Sequence, residues 1–235
     1  MKSRYIITTI VFLWNISGGV ALYGAIYQLD SPDDITTPTT IIDFEGYADE
    51  TVANTLFQAQ GISLTRDDGE EVFIRNWTAL GRTTTSPDNT IGTFWLPPVN
   101  PGYVTHLNLL STTPIFSIGA YFGNDQTLVE FPVSDFSMMR LSVYDSSDTL
   151  LGFVDLAANQ NTSVDQFIGL RSDVPFSRVR FENLNDLGEP SGYYSVALDD
   201  LVFTNVPEPS TLVLIALGAG TLYPSLRIRR TFWKT

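Results

Sequence analysis

The chain has 235 residues, with 26 aspartates and glutamates against 13 lysines and arginines, one histidine and no cysteine. The charge is unevenly placed: residues 31 to 205 hold seven arginines, no lysine and 24 carboxylates, a formal charge of −17, while Lys2, Arg4, Arg227, Arg229, Arg230 and Lys234 crowd the two ends. So acidic a body repels phosphate backbones and argues against nucleic acid as a partner, and the lack of cysteine excludes disulfides, thiolate nucleophiles, zinc-thiolate sites and iron-sulfur clusters.

Residues 1–25 have the layout of a secretory signal peptide. Lys2 and Arg4 precede an apolar run from Ile6 to Val20, and small residues then offer cleavage after Ala21 or Ala25. The β-branched residues at positions 6 to 11 and the pair Gly18-Gly19 make the same run a poor globular helix. Residues 26–40, which include SPDDITTPTT, read as a polar, proline-interrupted linker.

From 41 to 204 the hydrophobic period is two rather than 3.6. Met139, Leu141 and Val143 alternate with Arg140, Ser142 and Tyr144; Val179 and Phe181 alternate with Arg178, Arg180 and Glu182; Ile118, Ala120 and Phe122 alternate with Gly119 and Tyr121. Further strands are expected at 41–45, 61–65, 70–75, 91–95, 104–110, 149–156, 166–170 and 193–203. Ser146-Ser147-Asp148 marks a hairpin and Asn100-Pro101-Gly102 a turn. The expected fold is all-β: an antiparallel two-sheet sandwich of jelly-roll type, flanked by an N-terminal signal helix and a C-terminal transmembrane helix.

Two acidic pairs frame this body. Ile42-Asp43-Phe44-Glu45 opens it and Ala197-Leu198-Asp199-Asp200-Leu201 closes it. These stretches look like the frame of MAM-type and carbohydrate-binding-type jelly-roll domains, although the MAM cysteines are missing. That resemblance implies that the first and last strands lie side by side and that their carboxylates hold a structural calcium ion. On the residues themselves, Asp43 and Glu45 are two apart and share a strand face, whereas Asp199 and Asp200 are adjacent and point to opposite faces. Asp43, Glu45 and one of Asp199 or Asp200 would supply half of a calcium shell of six to eight oxygens. The other acid clusters, Asp33-Asp34, Asp67-Asp68 and Glu70-Glu71, read as solvated loops.

Nothing in the pattern points to an enzyme. His106 stands alone in VTHLNLL, with no nucleophile elbow and no second histidine. Composition leaves only a two-carboxylate glycosidase mechanism, for which the sequence marks no pair. Trp77, Trp95, Tyr121 and Tyr193 lie near expected loops and strand ends, where aromatic rings beside carboxylates stack on sugar rings; the alternative for each tryptophan is a place in the core.

The C-terminal residues 205–235 form a separate unit. Val206-Pro207-Glu208-Pro209-Ser210 precedes 17 uncharged residues, Ser210 to Leu226, and then Arg227, Arg229 and Arg230. As a helix the uncharged run spans about 26 Å at about 1.5 Å per residue, near the lower limit for a bilayer core, and the arginines would stay cytoplasmic. Proline-framed acid, apolar helix and arginine cluster together resemble the PEP-CTERM sorting signal of Gram-negative bacteria. The resemblance implies an exported protein processed near Pro-Glu-Pro by an exosortase, in organisms that make extracellular polysaccharide. Tyr223-Pro224, which interrupts the apolar run, and the tail Thr231 to Thr235 depart from the pattern. An ordinary C-terminal membrane anchor is the other reading. The function expected from these features is a noncatalytic surface or matrix protein whose sandwich binds polysaccharide, or alternatively an acidic matrix protein without a specific ligand.

Overall fold

A computed structural model describes residues 24–36, 39–80, 83–93, 106–123, 137–159, 161, 163–190 and 196–205. Among them the fold is all-β: eleven strands, three single 3-10 turns and no α-helix. In chain order the strands are β1 (Ile26–Leu29), β2 (Thr40–Ile42), β3 (Ile62–Arg66), β4 (Phe73–Asn76), β5 (Thr83–Thr84), β6 (Asn89–Gly92), β7 (Leu107–Gly123), β8 (Met138–Tyr144), β9 (Leu150–Ala157), β10 (Ser163–Leu184) and β11 (Ala197–Thr204). The hydrogen-bonded path runs β4-β6-β11-β7-β10-β8-β9. β1 and β5 add to β10, β2 to β11 and β3 to β7. Every pairing is antiparallel except the short β5–β10 contact.

The alternating residues sort as their period requires. Met139, Leu141, Val143, Val179, Phe181, Ile118, Ala120 and Phe122 are all fully buried, and Arg140, Tyr144, Arg178 and Arg180 lie on the opposite face. The Ser146–Asp148 hairpin forms between β8 and β9. Asp145 Oδ1 accepts from the Ser147 and Thr149 amides at 2.8 and 2.9 Å, and Asp148 takes a positive φ of 66°.

Two strands are far longer than their sequence segments suggested. The separate strands expected at 104–110 and 118–122, and at 166–170 and 176–182, join into the 17-residue β7 and the 22-residue β10. Each contains a proline, Pro114 and Pro175, where the ladder breaks register between Arg171 and Phe176 and again before Arg178. Proline has no amide proton to donate, so it weakens pairing without ending the strand. On one side of the break β7 and β10 pair with β3 and β8; on the other they pair with β11 and β1. Side chains from both parts meet in one core, which contains Leu107, Leu109, Leu141, Val143 and Phe181 together with Ile118, Phe122, Leu198 and Phe203.

Residues 26–40 are not a linker. β1 pairs with β10 over Ser172 to Gly169, and β2 pairs with β11 over Leu201 to Phe203. Between them Ser31 and Asp34 form a capping box around a 3-10 turn, and Leu29 and Ile35 cover Phe167 and Val202. The polar stretch was misleading because two apolar anchors at its ends suffice to hold it down. Nor are the other acid clusters simply solvated: Asp34 Oδ2 accepts from the Asp30 and Ser31 amides, Asp68 pairs with Arg66 at 2.7 Å, and Asp67 with Arg180 at 2.5 Å.

The signal helix and the transmembrane helix read in the sequence lie outside the described residues, as does the turn at 100–102. No helix among the described residues is long and apolar enough to cross a membrane.

Candidate functional site

The first and last framed strands do lie side by side, since β2 pairs antiparallel with β11. At their end three segments converge: the turn after β2 (residues 43–47), the loop between β5 and β6 (85–88) and the middle of β11. The sequence did not mark the middle segment, yet it is the hub. Asp199 is fully buried. Its Oδ2 accepts from the Thr85 hydroxyl at 2.7 Å and the Ser86 amide at 2.8 Å, and its Oδ1 from the Ser86 hydroxyl at 2.6 Å and the Asp200 amide at 2.8 Å. Glu45 Oε1 accepts from the Asp88 amide at 3.0 Å and the Asn89 amide at 2.8 Å, and lies 3.1 Å from the Ser86 hydroxyl. A hydroxyl has one proton, so the shorter contact assigns it to Asp199. Asn89 Nδ2 completes the closure by donating to the Phe44 and Tyr47 carbonyls at 3.2 and 3.1 Å.

The expected face assignments fail here, for a local reason. β2 ends at Ile42, and Phe44 has a φ of 59°, so Asp43 and Glu45 belong to a turn in which Asp43 Oδ1 caps the Glu45 amide at 3.2 Å. In β11 the register against β7 slips between Asp199 and Val202, and Asp200 takes a φ of 45°. This is a bulge, with one extra residue that re-aims its neighbours. Strict alternation would part Asp199 from Asp200; with the bulge both approach Thr85.

Crowding of like charge is the electrostatic signature of the site. Burial first, then the charge of Asp199, and after them Asp43 and Glu45, push the Asp200 carboxyl up to about 6, while the Thr85 hydroxyl opposes the shift. Tyr121 stands directly across from Asp199 in the β7–β11 register, and its phenol is raised by burial and then by Asp200, Asp33 and Asp199. As a set of metal ligands the four acids do not converge. Among the described residues no group of three or more histidine, cysteine, aspartate or glutamate side chains is placed to hold an ion, and Asp199 already has four protein donors.

Of the aromatic candidates, Trp77 is 3% exposed and packs with Val164, Ala197 and Tyr121, which is the core alternative. Tyr121 is half-buried, edge-on to Phe167 at 5.5 Å. Trp95 and Tyr193 lie outside the described residues. His106 is buried, with Nε2 3.1 Å from Glu182 Oε1, and burial lowers its pKa, keeping it neutral.

β11 ends at Thr204, and the proline-framed acid begins three residues later, at Pro207. Residues 205–230 match the PEP-CTERM protein-sorting motif. The match runs through Tyr223-Pro224 and stops at Arg230, leaving Thr231 to Thr235 beyond it. The PEP-CTERM motif marks proteins exported and sorted to the cell envelope or surface, and it implies processing by an exosortase. No curated protein matches the chain. Solved structures similar to it include two β-rich proteins. One is the K2 cleaved adhesin domain of Lys-gingipain, with 15% identity over 71% of this chain and 99% of that one and a TM-score of 0.43. The other is a DUF4465 family protein from Bacteroides caccae, with 12% identity over 82% and 92% and a TM-score of 0.38.

Proposed function

We propose that this chain is a noncatalytic surface or extracellular-matrix protein whose body, a jelly-roll sandwich of two facing sheets, binds extracellular polysaccharide. The observation that carries the reading is the junction at residue 205: the sorting motif starts one residue after the last strand, so the β-domain is joined directly to the segment that sorts it. Two facing sheets are supported by the core shared across the register breaks of β7 and β10, and by Ile26 of β1, which packs on Gly152 of β9 with no room for a Cβ between them. Noncatalysis is supported by a buried, neutral histidine and by carboxylates already engaged as acceptors. For polysaccharide, the supporting geometry is Tyr121 beside the acid cluster, opposite Asp199 in the β7–β11 register. Retention of the purified protein on an array of bacterial polysaccharides, weakened by Tyr121→Ala, is the expected result. A blank array with folded protein overturns sugar binding and leaves the acidic, hydrated surface itself as the working part.

Calcium belongs to the same reading. The crowding that lifts Asp200 would be relieved by a cation, whereas the saturated Asp199 and the lack of convergence make any ion weakly held, by Asp200, Asp43 and Glu45 with water. The thermal midpoint should therefore be the same in EDTA and in micromolar calcium and rise only in the millimolar range; a rise already at micromolar calcium would overturn this weak-site view. Without calcium Asp200 contributes a term to the pH dependence opposite in sign to that of His106, whose lowered pKa makes its contribution rise with pH. The folded pKa of Asp200 lies above the unfolded value near 4, so the native state binds the extra proton and this contribution to stability falls as pH rises from about 4 through about 6. The group is partly exposed and solvent screens it, so the span is on the order of 1 kcal/mol. Asp200→Asn should remove this slope and raise the midpoint at neutral pH by about 2–4 °C, the more so because asparagine tolerates the left-handed backbone found here.

A further inference from the structure

We infer that the end of the domain at which the chain enters β1 and leaves β11 is a membrane-facing surface, seated on the headgroups of the bilayer that holds the uncharged run Ser210 to Leu226. This rests on reading that run as a membrane segment and is independent of sugar binding. One cross-strand row, Tyr27–Arg171–Ser117–Thr204, contains the second residue of β1 and the last of β11. The row crosses three strand spacings, about 14 Å at about 4.8 Å each, so entry and exit are neighbours at one end of the sheet. Both are tied down there. The Asp173 amide donates to the Ala25 carbonyl at 3.1 Å and Gly24 packs on Val174, while Asn205 Nδ2 donates to Thr113 Oγ1 at 3.0 Å. The acid cluster lies the other way: Tyr121, opposite Asp199, is four residues along β7 from Ser117, a distance of about 14 Å.

Chain length and charge select the bilayer as occupant. Five peptide units separate Asn205 from Ser210, a lead of at most about 18 Å, of which a headgroup layer takes about 5–7 Å. The roughly 180 residues from Ala25 to Asn205 make a body about 40 Å across. On so short a lead that body cannot turn its far end to the membrane, so the exit end faces it. Anionic headgroups repel a body carrying −17, and approach is cheapest where that charge is absent. The exit is such a place. Residues 39–42, 58–61, 111–116 and 204–205 contain no charged side chain. They adjoin one another: Phe203 pairs with Thr40, and the Thr112 amide donates to the Gly61 carbonyl at 2.9 Å. On the entry side, where Ile26 packs on Gly152, the acids are engaged: Asp173 accepts from the Tyr27 hydroxyl at 3.3 Å, Asp148 pairs with Arg178 at 2.5 Å, and Asp145 caps its own hairpin. Gln58, Gln60, Thr112 and Thr113 are exposed, so the surface is neutral and polar, suited to hydrogen bonding with headgroups rather than to insertion among acyl chains.

The absence of cysteine lets a single label report each position. Full-length protein carrying Ala59→Cys or Thr112→Cys, labelled with a short-range fluorophore and floated with vesicles of phosphatidylethanolamine and phosphatidylglycerol, should lose emission when the lipid headgroups carry a nitroxide. Leu187→Cys, 81% exposed as leucine and three residues past the far end of β10, should keep its emission. Adding Gln58→Glu and Thr112→Glu to Ala59→Cys should restore the emission, since like charge now meets the phosphatidylglycerol. Three results overturn the inference while leaving the membrane segment intact: equal quenching at Leu187→Cys and Ala59→Cys, no quenching at either exit position in floated protein, or quenching unchanged by the two glutamates. A full chain that does not float overturns the membrane reading of residues 210–226, and the inference with it.

Discussion

Asp199→Ala is expected to cost about 2–4 kcal/mol of folding stability, read as a lower midpoint in urea denaturation with an unchanged slope. The variant leaves the Thr85 hydroxyl, the Ser86 amide and hydroxyl and the Asp200 amide without their acceptor, and each buried donor left unpaired costs about 1–3 kcal/mol. The hydroxyls can turn to other acceptors, so the amides dominate. One term opposes the loss: removing the Asp199 charge relieves Asp200, a gain on the order of 1 kcal/mol for a partly exposed group. The hydrogen-bond term wins because Asp199 and Ser86 are both buried, so the Ser86 amide is left without an acceptor, whereas the exposed Thr85 hydroxyl turns to water. Asp199→Asn should lose less, since one amide oxygen still accepts, and in both variants the Asp200 titration should move down toward the ordinary carboxylate range, which NMR would follow. A wild-type stability in Asp199→Ala would mean that the three segments are held together by packing alone.

Gly123→Ala should be at least as damaging, about 3 kcal/mol or more, and should appear as loss of soluble protein or a sharply lowered thermal midpoint. Gly123 ends β7 between two neighbours, opposite Val164 of β10 and Ala197 of β11. A Cβ there would stand 2.0 Å from the Ser163 carbonyl oxygen and 2.6 Å from the Val164 Cα, both backbone atoms that cannot swing aside. The contrast is Gly152→Ala, whose Cβ would meet the side chain of Ile26 at 2.6 Å; a side chain can change rotamer, and the cost should be smaller. Equal effects at the two positions would show that strand displacement near Gly123 is easier than its ladder suggests.

The strands were legible wherever one face is buried and the other is not. Met139-Arg140-Leu141 and Val179-Arg180-Phe181 carry the period of two directly, and the register between them follows, Arg180 opposite Ser142 and Glu182 opposite Arg140. Legibility failed where backbone geometry departs from that period. Pro114 and Pro175 fall between segments read as separate strands but sit inside continuous strands, because a missing amide proton weakens one rung without turning the chain. The bulge at Asp200 reverses the expected parting of two adjacent acids. No composition rule foretells a bulge, although the side-by-side placement of 40–42 and 201–203 was implied by a resemblance on their flanking acids. Ser86, the hub of the site, lay in a Thr-Ser-Pro-Asp-Asn run that signals only a turn; its importance comes from partners more than a hundred residues away.

The position of β11 bears on the order of events during export. This strand hydrogen-bonds to β7 along one side and to β2 and β6 along the other, so it is a middle rung of the sheet, and it is also the last folded segment before the sorting motif. A chain threaded across a membrane from its N-terminus delivers these residues last. Until they emerge, β2 lacks its described partner, β6 keeps only β4, and Asp199 is absent from its cage. The domain cannot complete its sheet while the chain is still moving, which keeps the polypeptide extended and threadable. Closure waits until the residues next to the sorting motif have crossed, so completion of the fold on the outer side and arrival of the motif become nearly simultaneous steps.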